Sequence, residues 1–124
     1  MPTICLGIRG ATTVDANTKE AIVDATAELL LEMTHANGIA ENDVAAIFFT
    51  TTRDVNAEFP AVAARVRLGW VQTALINSHE MDVPDATPSV VRVLILANTD
   101  RTKENLVHVY LKGASNLRSR GTER

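Results

Sequence analysis

Val90-Val91-Arg92-Val93-Leu94-Ile95-Leu96 is the stretch on which the fold turns. It is apolar at every position but one, and a short run of this kind without helical spacing reads as a buried strand. The exception, Arg92, carries a guanidinium that cannot shed its proton to escape burial, so the strand predicts an anionic partner. The pattern recurs near the N-terminus, where Ile4-Cys5-Leu6-Gly7-Ile8 reads as another strand, ending at Arg9 and followed by Gly10-Ala11-Thr12-Thr13. Two arginines on core strands suit one doubly anionic ligand. The alternative is an internal carboxylate for each, with Glu80, shortly before the Arg92 strand, as the candidate.

Between these strands lies the clearest helix. Asn17 is placed to cap it, Glu20 sits in its first turn, and Ile22, Ala25, Leu29, Leu30 and Met33 recur at helical spacing until Asn37 and Gly38 close it. A turn through Glu41, Asn42 and Asp43 leads into the strand Val44-Ala45-Ala46-Ile47-Phe48-Phe49, which runs on into Thr50, Thr51 and Thr52. Pro60 suits the first turn of a shorter helix, 61–68, terminated by Gly69. Residues 70–76 read as the next strand and 77–88, with two prolines, as an irregular loop. A last strand is expected over 106–111, and a loosely held polar tail over about 113–124. The order predicts an α+β fold, an α/β sandwich whose mixed sheet is covered by two main helices. Two helices leave apolar sheet surface uncovered, which predicts an oligomer.

At 124 residues the chain is expected to form a single domain, 1–124. Hydrophobic content of 46% with 22% charged residues is that of a globular protein, and no apolar run reaches the length of a membrane span. No secretory signal pattern opens the chain, so a cytoplasmic location is expected. The lone Cys5 reads as a packing residue within its strand. The net charge of −3, with scattered arginines, argues against a nucleic-acid surface and for a small-molecule partner.

Phosphate loops, dinucleotide fingerprints, a nucleophile elbow and zinc spacing among His35, His79 and His108 are all missing, so neither a cofactor nor a metal is expected. What remains is charge-complementary: Arg9, Arg65, Arg92 and Tyr110 as donors and Glu80 as acceptor, a set suited to a compact dicarboxylate. Spacing alone puts Arg65 on a solvated helix face, Tyr110 among ordinary strand aromatics and Glu80 in an exposed loop. His79 and His108 read as surface or packing residues.

At these residues the chain resembles the monofunctional chorismate mutases of the trimeric α/β class. The likeness is carried by GIRGATTV (Gly7–Val14), FPA (Phe59–Ala61) with Arg65 following, EMDV (Glu80–Val83), VRV (Val91–Val93) and HVYL (His108–Leu111), in the family's order and over nearly the whole chain. The resemblance implies a homotrimer whose sheets meet in a pseudo-α/β-barrel, with active sites in clefts between subunits. It also implies the isomerisation of chorismate to prephenate, on the branch of the shikimate pathway leading to phenylalanine and tyrosine. Residue by residue, it implies that Arg92 contacts the ether oxygen and a carboxylate, that Arg9 and Tyr110 hold the side-chain carboxylate, and that Glu80 accepts from the ring hydroxyl. Phe59 would pack on the ring from the adjacent subunit and Ala61 would be a further substrate-binding residue, while Arg65, Leu117 and Arg118 match positions near the mouth. The chain departs from one family pattern at Val62, where that pattern has lysine, and at Asn77, where it has cysteine; Asn77 keeps the capacity to hydrogen-bond the ring hydroxyl. Two other readings remain: an imine/enamine deaminase of the reactive-intermediate type, and a non-catalytic module that binds a carboxylate metabolite.

Overall fold

In the computed structural model, which describes residues 3–117, the elements follow the expected order. Strand β1 (Ile4–Thr13) is followed by helix α1 (Lys19–Asn37), β2 (Val44–Thr51), a short helix α2 (Ala63–Arg67), β3 (Ala74–His79), β4 (Val90–Thr99) and a two-residue β5 (Val109–Tyr110). The sheet order is β3-β2-β4-β1-β5. It is mixed: β4 lies antiparallel to β1 and β2, while β3 runs parallel to β2 and β5 parallel to β1.

Helix α1 packs on one face of this sheet because its apolar stripe, with Ile22, Leu29, Leu30 and Met33 fully buried, meets Ile8, Ile47, Phe49, Val93 and Ile95. Burying each such side chain contributes roughly 1.5–3 kcal/mol. Gly10 lets the helix come close, since a Cβ there would lie 2.4 Å from Met33 Sδ. The helix is capped by Thr18, whose Oγ1 accepts from Ala21 N at 3.1 Å, and not by Asn17. Asn17 is spent on a tertiary contact instead: its Oδ1 accepts from the N–H groups of Asn56 and Ala57, pinning the segment that leads to Phe59. At the other end Gly38 takes the left-handed conformation (φ 62°) expected of a C-terminal glycine.

The strands alternate, and here the reading of β1 and β4 as wholly buried is corrected. Along β4, Val91, Val93, Ile95 and Ala97 are buried whereas Arg92 and Leu94 are exposed; along β1, Leu6 and Ile8 are buried and Cys5, Gly7 and Arg9 exposed. Among the described residues α1 covers one sheet face, and the other is covered only at Ala11 and Val90, by Ala114 and its neighbours, so Arg9 and Arg92 stand on a largely open face and Cys5 is exposed. Phe48 (42% exposed) and Ile76 (57%) lie on the same open face.

Three boundaries move for identifiable reasons. The segment 61–68 winds mostly as a π-helix, with Leu68 N–H donating to Ala63 O at 3.1 Å, and ends at Gly69 in the left-handed region (φ 73°). Strand β3 begins at Ala74 because the Glu41 carboxylate captures Gln72 N–H and the Thr73 hydroxyl, both at 3.0 Å, ahead of the ladder. Strand β5 is shorter than expected because side chains replace its ladder. The Asn37 carboxamide bonds both the N–H and the C=O of Val107, each at 2.8 Å, and His108 Nδ1 accepts from Arg9 N–H at 3.0 Å. At the adjacent residue of α1, Ala36 O accepts from Arg101 Nη1 at 3.1 Å.

Of the tail, residues 113–117 are described: Ala114 is fully buried against Ala11 and Val90, and Gly113 N–H donates to Thr13 Oγ1. The remainder of the tail, with Arg118, lies outside the described residues. Among the described residues no helix is long and apolar enough to cross a membrane.

Candidate active site

Cross-strand register gathers the site on the open face. One row reads Ser78, Thr50, Arg92, Ala11, Tyr110 across β3, β2, β4, β1 and β5, and the next reads Ile76, Phe48, Leu94, Arg9. Residues opposite one another in adjacent strands share a face within about 5 Å, so the polar row sets Arg92 beside Thr50, with only the small Ala11 between Arg92 and Tyr110. Arg9, Glu80, Arg92 and Tyr110 together line a cavity of about 390 Å³ floored by Phe48 and Leu94.

Within it, Arg92 Nη1 lies 3.6 Å from Glu80 Oε2, and the Thr50 hydroxyl donates to that same oxygen. The internal carboxylate anticipated for Arg92 is therefore Glu80, yet the Arg92 side chain remains 47% exposed and open to a further anion. No salt bridge engages Arg9 among the described residues. Leu117 reaches the rim, lining a contiguous cavity of about 370 Å³ with Glu80, Arg92 and Val90.

The loop between Glu80 and Ser89 roofs this region and is clasped at both ends. Glu80 N–H donates to Thr51 O at 2.7 Å. At the far end Ser89, held at φ 60°, donates from its N–H to Asp54 Oδ2 at 3.0 Å, and the Thr52 hydroxyl donates to Asp54 Oδ1. The Thr52 hydroxyl, with the Ser89 N–H and hydroxyl, holds the Asp54 carboxyl below its ordinary value of 3.8, against partial burial that raises it.

A second group of expected residues lies elsewhere on the chain. Phe59, 63% exposed, and Asn77 line a separate cavity of about 340 Å³ with Val55 and His79. Asn77 pairs in register with the buried Phe49, placing its side chain on the helix-covered side of the sheet, away from Arg92, and its Oδ1 accepts from Ala61 N–H at 3.0 Å. His79 is not a bare surface residue: its Nδ1 sits 3.0 Å from the Thr51 hydroxyl. Arg65 is exposed on α2 and lines neither cavity. The chain therefore brings together Arg9, Glu80, Arg92, Tyr110 and Leu117, and separately Phe59, Ala61 and Asn77.

The first group can grip and orient anions but contains no nucleophile held by a base. Among the described residues no three His, Cys, Asp or Glu side chains converge to hold a metal ion. The sequence model for chorismate mutase type I matches residues 5–120. This chain belongs to the type I chorismate mutase family. It is 49% identical to the AroH chorismate mutase of Thermus thermophilus, over 90% of this chain and 92% of that relative, and 37% identical to that of Bacillus subtilis, over 90% and 88%. A solved chorismate mutase from Clostridium thermocellum superposes with a TM-score of 0.86 at 49% identity, covering 88% of this chain and 96% of the other. The activity is accordingly that of a chorismate mutase, an isomerase, and neither the deaminase nor the regulatory-module reading is favoured.

Proposed function

We propose that the chain rearranges chorismate to prephenate at a site divided between subunits of a homotrimer. Arg9, Glu80, Arg92, Tyr110 and Leu117 form one half, and Phe59, Ala61 and Asn77 of the neighbour form the other. The observation that carries this reading is the cavity on the open sheet face, where two guanidinium groups, a phenol and a carboxylate stand around one apolar floor. The separate cavity holding Phe59 and Asn77, together with the exposed Phe48, Ile76 and Leu94, supports assembly through the open face.

The chemistry needs what this set supplies. A Claisen rearrangement breaks one carbon–oxygen bond and forms one carbon–carbon bond in a cyclic shift of electrons, with no nucleophile, proton transfer or cofactor. Arg9 and Tyr110 hold the side-chain carboxylate and Arg92 the other anionic end, so the substrate is kept in its compact chair-like conformer. As the ether bond lengthens, the enolpyruvyl oxygen gains negative charge opposite Arg92 while the ring gains positive charge opposite Glu80. Arg65, exposed on α2, would help draw in the dianion.

The test is loss of chorismate absorbance on adding the purified protein, with prephenate identified as product and Arg92→Ala as control. Turnover abolished by the substitution is expected; undiminished turnover by Arg92→Ala would overturn the assignment of Arg92. Mixing Arg92→Ala with Phe59→Asp subunits, each inactive alone, is expected to regenerate activity through hybrid sites, and no recovery after re-association would overturn the divided site. Solution mass corresponding only to monomer at micromolar concentration would overturn the trimer.

A further inference from the structure

Thr50 stands second in the polar row, between Ser78 on β3 and Arg92 on β4. Its hydroxyl carries a single proton, and that proton is donated to Glu80 Oε2. Arg92 Nη1 approaches the same oxygen but stops at 3.6 Å, beyond an ordinary N–H···O bond. The Glu80 main chain is fixed as well, through its N–H to Thr51 O at 2.7 Å. A β-branched side chain on a central strand has little χ1 freedom, so the hydroxyl is aimed before any ligand arrives. Without it, the free energy of a guanidinium beside a carboxylate favours a closed bidentate fork, in which each charge is spent on the other.

We propose that Thr50 is a positioning residue that holds the Glu80 carboxylate short of a closed ion pair with Arg92, keeping both charges available to the reacting substrate. This rests on the reading of Arg92 and Glu80 given above.

The test compares Thr50→Val, which removes the hydroxyl at nearly constant shape, with Thr50→Ser, which keeps it, each also in the Glu80→Ala background. A hydrogen bond to a charged group corresponds to a loss of roughly tenfold to hundredfold in kcat for Thr50→Val. KM is expected to stay within about twofold, because the carboxylate grips are untouched. Thr50→Ser is expected to restore kcat, and in the Glu80→Ala background Thr50→Val is expected to cost nothing further. Full kcat in Thr50→Val beside an impaired Glu80→Ala would overturn the positioning role alone. So would a Thr50→Val loss that persists undiminished in the Glu80→Ala background, or an equal loss in Thr50→Ser. Full activity in Glu80→Ala would sink the site reading and this proposal with it.

Discussion

Phe48 and Phe49 are neighbours on β2 and meet opposite surroundings: Phe49 is 1% exposed beneath α1, while Phe48 is 42% exposed on the other face. The same alternation runs through β1 and β4, so one sheet carries a finished core on one side and an unfinished surface on the other. The covered face is built of shape-matched aliphatics and gives the chain its stability. The open face mixes exposed apolar residues with Arg9, Arg92 and Glu80, and its chemistry is of charge held ready. The packed core and the charged cavity are thus separated by the pleat of the strand, a single residue apart.

Substitutions on either side can break or sharpen that contrast. The largest effect is expected from Phe49→Ala, which should lower unfolding free energy by about 3–5 kcal/mol; Phe48→Ala should instead leave the covered core intact and weaken association, read by denaturation and solution mass in parallel. Equal losses of stability in both would erase the distinction between the faces. Next comes Arg92→Lys, in which a point charge on a flexible stem replaces the fork: the barrier should rise by about 3–4 kcal/mol, a few hundredfold or more in kcat, with the melting temperature unchanged. Near-parent turnover would remove Arg92 from the chemistry. Gly10→Ala drives a Cβ into the fully buried Met33 and should destabilise by about 1–3 kcal/mol, measurable by thermal melting.

The smallest effect is expected at the clasp of the roof loop. Because the folded-state pKa of Asp54 is depressed, its contribution to stability is present above its ordinary value of 3.8 and fades as pH falls through the lower folded value. Asp54→Asn should therefore be slightly less stable than the parent at neutral pH and equal to it in strong acid. A gap that widened on acidification would contradict the sign. Turnover itself should be nearly flat between about pH 6 and 9, since the rearrangement exchanges no proton with the protein; a bell-shaped profile would instead implicate acid–base chemistry.

Much of this was legible in residues that answer to local rules. The stripe Ile22, Ala25, Leu29, Leu30, Met33 announced α1, and Gly38 its end, because helical periodicity and left-handed termination are properties of the segment itself. What escaped was decided by partners distant in sequence. Asn17 looks like a cap but serves Asn56 and Ala57; Glu41 delays β3; Asn37 and His108 shorten β5. The apolar run of β4 could not declare which of its faces the chain itself covers, since Leu94 on the exposed face is as apolar as Val93 and Ile95 on the covered one. Around the cavity, Arg9, Arg92, Glu80 and Tyr110 could be picked out by chemistry; the strand register brings Arg9, Arg92 and Tyr110 together, and Glu80 joins them from the loop after β3. Thr50 and Asp54 could not, although the hydroxyl run Thr50-Thr51-Thr52 was the available signal: each of those hydroxyls is engaged, on Glu80, Val55 or Asp54.

The Asn37 carboxamide has a consequence for how this chain tolerates change in length. Arg101 and Val107 are both fastened to the last turn of α1, so the connector between them is a closed excursion whose two feet stand on the same helix end. Residues inserted or deleted within that excursion alter its span outside the feet and leave Val107, His108 and hence Tyr110 where the helix sets them. The position of Tyr110, on the wall of the cavity, is in this way indifferent to the number of residues spelled out just before it.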